Sequence, residues 1–164
     1  MQSIAKLIYL IFLAGLILLT SCHTSDPETI AQKEIRDILY DVSLDFNLDN
    51  ITGIMDHVHS EYLHKGMISY HLNDLWLDRM AQFSLLEIEV LYIEFEGDKA
   101  VVHSNNKFSS AIESVTLHEP EDSGDISYFI RENGVWLIYG NQMWAKGIPE
   151  FSRKGNLLVA KTSR

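Results

Sequence analysis

Four of the chain's seven histidines fall close together: His57, His59, His64 and His71. A metal site needs three or four ligands converging at about 2.0–2.1 Å. On a helix, residues two apart such as His57 and His59 point about 200° from each other and cannot share an ion. The sequence has no HExxH motif and no Cys/His pair. No metal and no cofactor is expected, and these histidines are read as capping, packing or solvent-facing. A second group could do acid–base chemistry: Tyr40, Asp56, Tyr62 and His64. A general base must reach its proton at hydrogen-bond distance, with a pKa tuned near neutrality. Asp56 and His64 are the catalytic candidates. The competing reading makes Tyr62 and Trp76 core aromatics and leaves Asp56 exposed. GxSxG, P-loop and GxGxxG patterns are absent.

The elements that must position these residues can be read from periodicity. Asp26-Pro27-Glu28 is a strong helix start, with an N-cap acid, proline at N1 and a further acid near the positive helix end. Ala31, Ile35, Ile38, Leu39, Val42 and Phe46 then make one apolar stripe at spacings of three and four. Asp49 or Asn50 can cap a second, short helix with Ile51, Ile54, Met55 and Val58 apolar. After a loop over residues 60–66, Ser69 can cap a third helix with Leu72, Leu75, Trp76, Met80 and Phe83 in line.

Residues 85–110 read as one long β-hairpin. Leu86, Ile88 and Val90 alternate with Glu87 and Glu89; the phase then flips, and Leu91, Ile93 and Phe95 alternate with Tyr92, Glu94 and Glu96. A change of parity needs one extra residue, which places a β-bulge at Val90–Leu91 and bends the strand. Gly97-Asp98 supplies the turn. An acidic loop follows at residues 119–124. Ile126, Tyr128 and Ile130 alternate with Ser127, Phe129 and Arg131, and Asn133-Gly134 turns the chain into a last strand carrying Trp136 and Ile138. Three helices followed by four antiparallel strands in two hairpins is an α+β order.

The chain's 164 residues, 46% of them hydrophobic, suffice for one domain with a real core. The net charge of −10 argues against nucleic acid, which needs a basic face. That charge is uneven: residues 22–140 hold 7 Lys/Arg against 22 Asp/Glu, and residues 141–164 hold 5 against a single Glu. The basic tail, residues 146–164, is expected to be peripheral to the core, with its cations available to anionic lipid head groups. The single cysteine excludes an internal disulfide.

That cysteine closes an uncharged run. Lys6 precedes residues 7–19, which are too few for a comfortable membrane span and right for the apolar core of a secretory signal. Leu19-Thr20-Ser21-Cys22 resembles the lipobox of bacterial lipoproteins. The resemblance implies that residues 1–21 are a signal peptide and that Cys22 is lipidated with palmitate-type chains. Residues 22–26 would then tether the domain to the bilayer, in the cell envelope. With His23 rather than Asp after the cysteine, the outer membrane is expected in a Gram-negative cell.

The element order, together with residues 59–66, 97–102 and 133–141, resembles the nuclear transport factor 2-like superfamily, a cystatin-like roll. The resemblance spans residues 27–141, leaving 142–164 as the tail. It implies three N-terminal helices packed on a curved antiparallel sheet of four or more strands, with a cone-shaped pocket between. Tyr40, Tyr62, Trp76, Met80, Tyr128 and Trp136 are the expected pocket residues. Such folds include isomerases, dehydratases and non-enzymes, so function must come from the site. The leading expectation is a membrane-anchored domain that binds a small apolar molecule or a protein partner without catalysis. The alternative is an isomerase or hydro-lyase using an Asp/His/Tyr pocket. A homodimer is compatible with either.

Overall fold

A computed structural model describes residues 26–144. The expected signal peptide, Cys22 and the tail beyond Trp144 lie outside the described residues. Among the described residues, no helix is long and apolar enough to cross a membrane.

The first helix, α1, spans Pro27–Asn47. Ile35, Leu39, Val42 and Phe46 are buried along it, as their spacing requires. The second, α2, spans Ile51–Asp56, and the Asn50 side chain caps it by accepting from the Gly53 amide at 3.3 Å. A two-stranded hairpin follows, β1 (Leu63–His64) with β2 (Met67–Ile68), where a loop is expected from sequence. Next comes α3, Ser69–Gln82, whose buried face is Leu72, Trp76 and Arg79. Ser69 is the first helical residue rather than the cap; Ile68 holds the cap position, and its amide donates to His71 Nδ1 at 3.4 Å.

A five-stranded antiparallel sheet completes the domain: β3 (Leu85–Glu96), β4 (Lys99–Ser109), β5 (Ser114–Glu119), β6 (Tyr128–Glu132) and β7 (Val135–Ile138). β3 pairs with one edge of β4. The other edge is divided: β5 takes Ser104–Ser109 and β6 takes Lys99–Val101. β7 then pairs with β6. The bulge lies where parity predicts it, since Val90 faces Ser104 while Tyr92 faces His103. Leu91 is itself the extra residue and is 51% exposed, so it leaves the inner face that Ile93 and Phe95 rejoin. In β6 the buried residue is Phe129, and Tyr128 and Ile130 are half-buried.

α1 packs along β3 and satisfies its backbone. Ser43 Oγ donates to the Leu86 carbonyl at 2.7 Å, and Asn47 exchanges two bonds with the Leu86 backbone. Arg36 donates to the Val90 carbonyl at 3.1 Å, at the bulge. An edge strand left bare would present unpaired amides to other chains, and this helix covers part of that edge. The core lies between the helices and the inner sheet face. Phe46, Trp76, Phe83 and Phe108 meet there edge-on or tilted, with ring centroids 5.5–6.3 Å apart.

Candidate functional site

Beside this aromatic cluster the interior turns polar. Asp125, 1% exposed, sits in the loop between β5 and β6. Its Oδ2 accepts from Arg79 Nη1 at 2.7 Å and from Trp76 Nε1 at 2.8 Å. Its Oδ1 accepts from Ser123 Oγ and, at 3.5 Å, from Arg79 Nη2. Tyr62 Oη donates to the Asp125 carbonyl at 2.9 Å. Burial alone would raise the Asp125 pKa; the Arg79 guanidinium and these hydrogen bonds outweigh it and hold the carboxyl below its ordinary value. Tyr62 is pushed well above the usual phenol range by burial and by the Asp125 charge.

Glu119, at the end of β5, is the cluster's second carboxyl and is 2% exposed. Its Oε2 accepts from the Gly124 amide and from Ser127 Oγ at 3.4 Å, while its Oε1 is buried with no partner among the described residues. Burial first, and the Asp125 charge second, raise its pKa to about 7. The turn that aims the Gly124 amide at Glu119 needs glycine. Its φ is +74°, and a Cβ would lie 3.0 Å from both the Pro120 carbonyl oxygen and His64 Cε1.

His64 is buried, with Nε2 2.8 Å from the Ser123 carbonyl oxygen and Nδ1 accepting from the Asn141 amide at 3.4 Å. Burial lowers its pKa, which favours the neutral ring. His59 is also buried; its Nε2 meets Glu132 at 2.9 Å and its Nδ1 accepts from the Glu61 amide at 2.9 Å. Among the described residues, no group of three His, Cys, Asp or Glu side chains could hold a metal ion.

The residues expected from sequence are thus dispersed. Tyr62 and Trp76 lie in the interior and bond to Asp125, filling the space they were expected to line. Trp136 is buried against Phe95 at 5.8 Å, with the Arg131 guanidinium over its ring at 5.8 Å. Met80 is half-buried on α3. Tyr40 is 69% exposed, because it follows Leu39 by one residue and so points about 100° from the buried stripe. Asp56 is exposed at the end of α2, outside the buried cluster. Tyr128 contributes to an open concavity among the described residues. This is a groove of about 270 Å³ near the β3–β4 turn, lined by Glu94, Glu96, Lys99 and Val101, by Tyr128 and Tyr139, and by residues 140–142. Tyr128 is raised above its ordinary pKa by burial and by the charges of Glu121 and Glu119.

Sequence reasoning missed Arg79, Glu119, Ser123 and Asp125. One signal was available for Arg79: it stands seven residues after Leu72 and three after Trp76, on the apolar face of its helix.

This architecture recurs in solved structures. A protein of unknown function from Mycobacterium tuberculosis superposes with a TM-score of 0.54 at 18% identity, over 73% of this chain and 74% of that one. A protein of unknown function with a cystatin-like fold from Nostoc punctiforme gives 0.51 at 12%, over 66% and 86%. A nuclear transport factor 2-like protein of unknown function from Shewanella oneidensis gives 0.51 at 10%, over 67% and 95%. No protein-family model and no curated protein matches the sequence. The chain therefore has the nuclear transport factor 2-like, cystatin-like fold, an α+β domain with helices packed on a curved antiparallel sheet.

Proposed function

We propose that the chain is a lipid-anchored envelope protein whose domain binds a protein partner or a small apolar molecule without catalysis. The anchor rests on Leu19-Thr20-Ser21-Cys22 closing the apolar run. The absence of catalysis rests on the buried cluster: both Asp125 oxygens, the Tyr62 hydroxyl and the His64 ring are engaged inside the protein. A group held in that way is poor at exchanging protons with a substrate. One observation favours the alternative, an isomerase or hydro-lyase. Glu119 is buried, protonatable near neutrality and carries one unpartnered oxygen.

The test purifies the full-length chain in mild detergent and examines it by mass spectrometry. A diacyl mass increment on wild type, absent from Cys22→Ala, is expected, together with a stoichiometric apolar molecule or protein. An unmodified Cys22 removes the anchor. A turnover that Glu119→Gln abolishes, while the melting temperature holds, replaces the binding reading with the enzymatic one.

A further inference from the structure

The segment between β5 and β6, residues 120–127, contains neither helix nor strand, yet Gly124, Asp125, Ile126 and Ser127 are buried. Side chains do much of the holding. Arg79 and Trp76 grip the Asp125 carboxylate, and Tyr62 grips its carbonyl. His64 and the Lys65 ammonium meet the Ser123 carbonyl oxygen at 2.8 and 2.9 Å. Glu119 closes the segment at its root, since its Oε2 accepts from both the Gly124 amide and the Ser127 hydroxyl.

Charge in this cluster balances only while one carboxyl keeps its proton. Glu119 faces the Asp125 carboxylate within the segment and the Arg79 guanidinium from α3. That guanidinium is already bound to Asp125 at 2.7 Å. The phenols of Tyr62 and Tyr128 are neutral, and burial favours the neutral ring of His64 on β1. Lys65 forms no ion pair among the described residues, and Glu121 is exposed. An ionised Glu119 is therefore a second buried anion without a cation of its own, and its Oε1 has no partner among the described residues.

We propose that residues 120–127 form a proton-operated latch: protonated Glu119 keeps the segment seated, and loss of the proton turns the carboxylate to water, frees the Gly124 amide and lets the segment swing off the interior. The polar interior beneath it, Arg79 included, is then covered below neutral pH and uncovered above it. An open segment returns Glu119 from about 7 to its ordinary 4.5, so the closed form binds the proton more tightly and opening grows as pH rises between these values. From pH 6 to pH 8 this linkage makes opening about ten-fold more frequent. The inference rests neither on the anchor nor on the choice between binding and catalysis.

Hydrogen exchange followed by NMR on the full-length protein in mild detergent tests it. With the base-catalysed chemical rate divided out, the Gly124 and Ser127 amides should exchange about ten-fold faster at pH 8 than at pH 6. Glu119→Gln, which keeps His64 and all other charges, should lose that dependence. The chemical shift of the wild-type Gly124 amide supplies a second readout that needs no variant, and it should titrate with the same midpoint as the exchange. Three results overturn the latch. One is exchange in wild type that follows the chemical rate alone, even if the Gly124 shift titrates. Another is an equal pH dependence in Glu119→Gln, which would assign it to His64. The third is exchange of Gly124 and Ser127 no faster than that of the β4 amides bonded to β3, which would make the opening global unfolding.

Discussion

The interior has two halves that reach burial by different means. Around Phe108, rings from α1, α3 and the sheet fill space by shape, meeting edge-on or tilted. Around Asp125, charged and polar groups reach the same degree of burial only because nearly every one has a partner. Arg79 joins the halves. Its guanidinium bonds Asp125 on one side and lies 5.1–5.3 Å from the Phe108 and Trp76 ring centroids on the other. Apolar packing degrades gradually when altered, whereas a buried ion pair fails abruptly when one member is lost.

Arg79→Met should be the most damaging change. It fills similar space but leaves the Asp125 carboxylate buried without its cation, at about 3–5 kcal/mol. Urea unfolding near neutral pH measures this, and a loss below about 1 kcal/mol would show that Asp125 finds another partner.

Glu119→Gln tests the opposite sign within the polar half. The folded pKa of Glu119 is raised from 4.5 to about 7. The folded state therefore binds the proton more tightly than the unfolded chain does. That contribution is complete below pH 4.5 and is lost as pH rises through about 7. Glutamine cannot ionise, so the variant should be more stable than wild type above pH 7, by roughly 3 kcal/mol. Parallel stability curves for the two proteins between pH 4.5 and 8 would contradict this.

Phe108→Leu should cost least, about 1.5 kcal/mol or less, if the apolar half can close around a smaller side chain. A loss as large as that of Arg79→Met would mean that the ring also holds the guanidinium in place. Thermal melting of both variants distinguishes the two cases.

The apolar half was legible in the sequence and the polar half was not. Ile35, Leu39, Val42 and Phe46 announce a buried face by spacing alone, and the parity change at Val90–Leu91 announces the bulge. Asp125 and Glu119, by contrast, belong to acid-rich stretches that read as surface, because burial of a charge is decided by a partner distant in sequence. Arg79 and Asp125 are brought together only by the packing of α3 against the β5–β6 loop. β5 escaped for a related reason. Its inward positions include Glu119, and residues 110–113, which lead into it, contain neither glycine nor proline to mark a turn. Tyr40 was expected at the pocket for its chemistry, although its position beside Leu39 turns it outward.

The divided edge of β4 sets an order of loosening. This strand is flanked on both sides over Lys99–Val101 and again over Ser104–Ser109, and it cannot release either β5 or β6 without exposing its own amides. β5 pairs with β4 alone and can detach from that one neighbour, whereas Ile138 of β7 is bonded both to β6 and to the backbone around Val58. In a solvent-exchange experiment the amides of β4 should be the last to take up deuterium, and those of β5 should report smaller, earlier openings. The loop that carries Asp125 follows directly from β5, so each partial opening of β5 pulls on Asp125 while α3 holds Arg79, the other member of the ion pair.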